Sequence, residues 1–124
     1  MNIIEALKHF QEGIKIKGNN SEKIFQILDS SFVIYQFNET ENYYELYEFD
    51  EFIFSVNDLN NWIIVTDPIP IPFFSNYSRG AIYYYKKGYT IKRLKTSETF
   101  NNTNLSDKKF SFEDINANDW EVVE

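Results

Sequence analysis

The chain has 124 residues, a length that predicts one domain able to bury a core without disulfide or metal staples. Apolar residues make up 43% and charged residues 25%, which excludes a disordered chain, and a formal net charge of −7 disfavours direct binding to duplex nucleic acid. Cysteine is absent and His9 is the single histidine, so thiol catalysis, thiolate metal sites and histidine clusters are excluded.

Residues 2–13 predict a helix. Ile3, Leu7 and Phe10 recur at helical spacing with Ala6 beside them. Asn2 and Glu5 form a capping-box-like pair, and Gly13 suits the position after the helix. His9 falls on the polar side, as a solvated residue. Residues 14–17 alternate and predict a short strand with Ile14 and Ile16 inward. Residues 23–28 and 32–37 predict a hairpin about Asp29-Ser30-Ser31. Residues 43–49, YYELYEF, predict another strand, resuming at 52–55. A turn over 56–61 leads to Trp62–Thr66, whose near-continuous apolar sequence predicts a central strand. The prolines of DPIPIP, residues 67–72, remove ladder donors and predict a rigid extended connector along a sheet edge.

Residues 79–94, RGAIYYYKKGYTIKRL, admit two structures. Local propensity favours a hairpin of 81–85 and 89–94, which is preferred because three consecutive tyrosines suit strands. An internal echo gives a helix followed by a strand instead: ALKHFQEGIKIK, from Ala6, aligns with AIYYYKKGYTIK, from Ala81. Residues 95–109 are polar and predict a mobile loop. A second echo relates FSVNDLNNWIIV, from Phe54, to FSFEDINANDWEVV, from Phe110, and places the two tryptophans, Trp62 and Trp120, in one slot. The fold expectation is a single α+β domain over 1–124, its N-terminal helix packed on a twisted, mostly antiparallel sheet. A two-part repeat over 1–66 and 79–124 stands beside it as an alternative.

No catalytic motif, metal-ligand set or cofactor motif occurs, so the expected role is binding rather than catalysis. Two surfaces are candidates. The first is basic and aromatic: Arg79, Tyr83, Tyr85, Tyr89, Lys92 and Arg93, with Trp62 as a stacking platform for a base. An ordinary solvated hairpin would also account for it. The second is acidic and aromatic: Glu41, Tyr43, Glu45, Tyr47, Glu48 and Asp50, which could imitate nucleic acid toward a basic protein groove. A charged edge strand that resists aggregation would account for that one. Trp62, Trp120, Asp114 and Asp119 fit packing and capping roles at the turns that precede two strands. No apolar run spans a membrane, and the start lacks the features of a signal peptide.

The opening NIIEALKHFQEGIKIKG and the ending DINANDWEVVE resemble the ends of the phage-encoded Thoeris anti-defence proteins of the second type, whose patterns run "EAL…L..G..V.R..W" and "D.LA.DW.VV". The likeness covers only the two ends, and the family's Arg-x-x-Trp is absent after Lys17. It implies a phage counter-defence protein that sequesters a cyclic nucleotide immune signal in pockets between subunits. A homo-oligomer in the host bacterial cytoplasm is therefore expected, with no cofactor. Some relatives with this ending are assigned as anti-CRISPR proteins, which implies the alternative partner, a Cas effector met through the acidic face.

Overall fold

A computed structural model of the chain describes residues 1–19, 21–28, 30–49, 61–75, 78–101 and 110–123. Its elements are α1 (Ile3–Gln11), β1 (Lys15–Gly18), β2 (Ile24–Leu28), β3 (Ser31–Asn38), β4 (Tyr43–Phe49), β5 (Trp62–Val65), α2 (Ala81–Lys86), β6 (Thr90–Arg93), β7 (Thr99–Phe100), α3 (Phe112–Asn116) and β8 (Trp120–Val123). The architecture is α+β. Five strands form one sheet in the order β4-β3-β2-β1-β5, and three form another in the order β7-β6-β8. The chain divides into two compact units, Met1–Phe37 with Tyr47–Asp67, and Asn38–Leu46 with Pro68–Glu124. No described helix is long and apolar enough to cross a membrane.

In the first unit, Asn2 is extended and its side-chain oxygen accepts the Glu5 N–H at 2.9 Å. That bond satisfies one of the orphan donors at the start of α1. Gly13, at φ 85°, takes the chain into the left-handed region and turns it into β1. The helix seats Ile3, Ala6 and Phe10 against Ile16, Phe25 and Trp62. Full burial of each large side chain contributes about 1.5–3 kcal/mol. The hairpin of β2 and β3 forms as expected, with Phe25 opposite Ile34. His9 is not fully solvated: it is half-buried, and its Nδ1 is enclosed without a hydrogen-bond partner.

β5 corrects an expectation. Among the described strands it stands at the end of the order, not in the middle, and Ile63 and Ile64 both remain exposed. A continuous apolar run does not distinguish an interior strand from an edge strand whose neighbours cover it partly. The expected strand at 52–55 and most of the turn over 56–61 lie outside the described residues.

The second unit corrects a larger one. Residues 79–94 are a helix followed by a strand, α2 then β6, and not a hairpin. The connector explains why. Ala81 N–H donates to the Pro72 carbonyl at 3.0 Å and Ile82 N–H to the Phe73 carbonyl at 3.0 Å. The proline segment thus accepts donors that the first helical turn would otherwise leave unpaired. Gly80 makes this approach feasible, since a Cβ there would lie 2.3 Å from the Phe73 carbonyl oxygen. Burial of Ala81 and Tyr84 completes the override of β-propensity. Within the stretch expected as a mobile loop, residues 95–101 hold more order than expected, because Thr99 and Phe100 form β7; residues 102–109 lie outside the described residues. Phe112 opens α3 behind the Ser111 cap.

The two units repeat one construction. In the first, Glu12 and Ile14 N–H groups donate to the His9 carbonyl and Gly13 to that of Phe10. In the second, Lys87 and Tyr89 donate to the Tyr84 carbonyl and Gly88 to that of Tyr85. Gly88 also has positive φ, 101°. Ile16 pairs with Phe25 and Ile64; Ile91 pairs with Phe100 and Val122. Gly18 faces Trp62 as Arg93 faces Trp120. Trp62 exchanges both backbone hydrogen bonds with Met1, as Trp120 does with Ile71. Phe25 lies 6.0 Å from Trp62 between ring centres, and Phe100 lies 5.4 Å from Trp120. The helix C-termini, strand register and tryptophan seat therefore correspond position by position, although α1 begins three positions earlier and is capped by Asn2 where α2 is preceded by Gly80.

Candidate functional site

The densest polar arrangement among the described residues surrounds Arg93. Register on β6 places it opposite Trp120, and it is only 3% exposed. Its Nε donates to Asp119 Oδ1 at 2.6 Å and its Nη1 to Asp114 Oδ1 at 2.7 Å. Both are charge-assisted bonds of the stronger kind. The guanidinium also lies over the Trp120 ring, 5.6 Å from its centre. Asp119 Oδ2 accepts the Lys95 N–H at 2.8 Å. Asp114 closes a capping box with Ser111 at the start of α3, and its carbonyl accepts the Trp120 indole N–H at 3.0 Å. Burial works against the charge on Arg93, but hydrogen bonds and charge from Asp119 and Asp114 outweigh it and raise the pKa. Burial likewise opposes ionisation of Asp114, yet the Ser111 donors and Arg93 hold its carboxyl below the ordinary value. This network fastens α3 and β8 to β6. Arg93 is therefore committed to internal contacts, and Asp114 and Asp119 keep the capping and packing roles that the sequence suggests.

The rest of the basic and aromatic segment surrounds α2. Tyr83 carries Arg79 with its Cζ 4.1 Å from the ring centre and Lys87 with its Nζ 4.8 Å away. Helical spacing sets Lys87 one turn beyond Tyr83, whereas Arg79 precedes the extended N-cap Gly80 and is placed by its antiparallel bridge to Leu46. Tyr83 and Arg79 are half-buried and Lys87 is exposed. Tyr85 turns toward Phe110, with ring centres 5.0 Å apart, and so joins the aromatic packing with Phe73, Phe100 and Trp120. Tyr89 packs edge-on against the buried Tyr84. Lys92 sits in β6 between Thr99 and Glu121. The structure thus brings Arg79 and Tyr83 together with Lys87, while Tyr85, Tyr89 and Arg93 serve packing. Trp62 belongs to the core of the first unit, between Phe25 and α1, and offers no stacking face.

The acidic candidates divide as well. Glu41 and Glu48 are exposed, and Tyr43 and Tyr47 are half-buried. Glu45 is buried and accepts the Asn38 amide at 3.0 Å. Asp50 lies outside the described residues. In the first unit, Ser30, Ser31, Phe32, Glu48 and Phe49 border a shallow depression of about 230 Å³, below the range of about 300–1,000 Å³ usual for small-molecule pockets.

Sequence reasoning counted Lys87 among the basic residues but left it out of the ligand-binding set, and it passed over the bonding of Arg93 to two aspartates. The first becomes visible once residues 81–87 are laid on a helix, where 83 and 87 share one side. The second joins residues distant in sequence and leaves no local signal. Comparisons with protein-family models, curated proteins and solved structures find no match.

Proposed function

We propose that the protein is a phage-encoded anti-defence protein that acts by binding, and that it sequesters a cyclic nucleotide immune signal through the surface of α2. The observation that carries this reading is the pairing of Arg79 and Lys87 about Tyr83. Two cations against one aromatic ring bring positive charge and a flat face together, the combination that a nucleotide's phosphate and base can use. The tyrosine supplies a flat apolar surface next to the anion site, which suits a base or ribose carrying phosphate. The likeness of both chain ends to a phage anti-defence family supplies the setting. The alternative, an anti-CRISPR protein that blocks a Cas effector, would draw on Glu41 and Glu48 and on the net charge of −7. It has fewer residues to work with, since Glu45 is spent on Asn38.

The test is retention. Purified protein is incubated with a panel of cyclic nucleotides, washed, heated, and the supernatant analysed for intact ligand. One nucleotide is expected to be retained and released. Tyr83→Ala and Arg79→Ala should each weaken its binding about tenfold or more, the loss of about 1–3 kcal/mol typical of a stacked base or charged contact. Retention of no nucleotide, or wild-type affinity in both variants, refutes the proposal.

A further inference from the structure

Residues 111–118 are seated firmly at both ends and lightly between them. At one end, the Phe110 ring centre lies 4.7 Å from that of Phe100 and 4.9 Å from that of Phe73. At the other, the Asp119 carboxylate accepts Arg93 Nε at 2.6 Å and the Lys95 N–H at 2.8 Å, and its carbonyl accepts the Leu94 N–H at 2.8 Å. The Phe110 and Trp120 ring centres are 6.0 Å apart, so the stretch between them leaves the unit and returns at nearly one place. α3 fills this stretch and buries no residue. Within 111–118 only Asp114 and Ala117 are half-buried, and Phe112 is 85% exposed.

Among the described residues, two fasten the stretch to the unit. Asp114 Oδ1 accepts from Arg93 Nη1 at 2.7 Å, the Asp114 carbonyl accepts the Trp120 indole N–H at 3.0 Å, and the Ala117 carbonyl accepts the Phe73 N–H at 3.2 Å. Glu113 adds little, since it is 75% exposed and 4.0 Å from Arg93. Lifting the stretch gives up almost no apolar burial. Water then reaches the donors it covered, so they are not left buried without a partner. The capping box of Ser111 and Asp114 lies wholly inside the stretch and travels with it. Asp119 does not travel: its bonds to Lys95 and Leu94 keep it on β6, and Arg93 retains one carboxylate. Segments with few buried apolar contacts open at lower free energy than the core beneath them.

We infer that residues 111–118 are a strap that opens over Arg93 and Trp120 while β6, β7 and β8 stay folded, with Asp114 as its latch. Closed, the strap commits the Arg93 guanidinium to internal contacts and hides the indole. Open, it gives access to a cation beside an indole. The device uses none of Arg79, Tyr83 and Lys87, and it does not depend on the nucleotide reading.

Trp120 reports on both states, because its indole N–H is bonded to the strap and its backbone N–H to the Ile71 carbonyl at 3.0 Å. The test follows hydrogen exchange of the two groups by NMR in the full-length protein, in urea below the unfolding transition. The indole N–H is expected to be about tenfold or more less protected than the backbone N–H, and to respond weakly to urea where the backbone N–H responds steeply. Asp114→Asn removes the charge from the latch and should speed indole exchange about tenfold. Phe112→Ala should leave it unchanged, because that side chain holds nothing down. Three outcomes overturn the inference: equal protection and urea response of the two N–H groups in the wild type, wild-type indole exchange in Asp114→Asn, or Phe112→Ala speeding it as much as Asp114→Asn does.

Discussion

Replacing Arg93 with alanine tests what holds the second unit together. The substitution removes two charge-assisted bonds, at 2.6 and 2.7 Å, from a side chain almost fully enclosed. It also leaves Asp114 and Asp119 facing each other without a cation. Breaking a buried pair from one side typically costs about 3–5 kcal/mol. Asp119 reaches solvent in part, with 26% of its side chain exposed, so the lower end, about 3 kcal/mol, is expected. For a chain of this length that corresponds to a fall of about 10 °C in melting temperature, followed by circular dichroism at pH 7. The pH dependence carries a defined sign. The folded pKa of Asp114 lies below its ordinary value of 3.8, so its contribution is fully present above that value. It is lost as pH falls through the lower, folded pKa. The gap between wild type and Arg93→Ala should therefore hold from pH 7 down to about 4 and narrow below. A variant that melts within 2 °C or so of wild type at pH 7, or a gap unchanged at pH 2, refutes this account of the network.

Two glycines separate conformational from steric demand. Gly88 has φ 101° with open space around it, so Gly88→Ala should cost only the left-handed backbone penalty of about 1–2 kcal/mol. Gly80 has ordinary φ of −90°, but a Cβ would meet the Phe73 backbone; Gly80→Ala should force the proline connector off the start of α2 and cost about 1–3 kcal/mol or more. Urea titrations of both variants compare the two. Trp120→Ala empties the seat shared with Phe73, Phe100 and Phe110 and strands the Asp114 carbonyl. A loss of about 3–5 kcal/mol is expected, against at most ~0.5 kcal/mol for a surface control such as Glu98→Ala.

Much of the first unit was legible because its signals are local. Asn2 and Gly13 bracket α1, apolar spacing marks its inner side, and a short polar turn joins β2 to β3. The acidic and basic candidates fared differently. Charge and aromatic character can be read from sequence, but burial cannot. Arg93 and Glu45 look like surface residues until their partners, Asp114, Asp119 and Asn38, come from elsewhere in the chain. α2 failed as a local reading for a related reason. Three consecutive tyrosines prefer strands, and the preference is overridden by carbonyls of Pro72 and Phe73, which no window around residue 83 contains.

The internal echo succeeded at α2 because it compares positions rather than propensities. Gly13 and Gly88 mark the same left-handed turn, and from each the chain enters a strand whose next isoleucine is fully buried. A tyrosine can replace a histidine or phenylalanine on such a helix so long as the inward contacts persist, as Ala6 and Ala81 do. The same correspondence separates scaffold from specialisation. Where the second unit has Arg79, Tyr83 and Lys87 on and beside α2, the first has Ile4, Lys8 and Glu12 on and beside α1. The helix, its cap and its strand form with either set, so the fold does not require two cations about a tyrosine. Gly18 likewise stands in the first unit where Arg93 stands in the second, so the ion network is an addition to a seat that a glycine can also fill. The residues that differ between corresponding positions are the ones that this shared scaffold does not require. In the second unit they include Arg79, Tyr83 and Lys87 about α2, and the Arg93 network, which is committed to internal contacts.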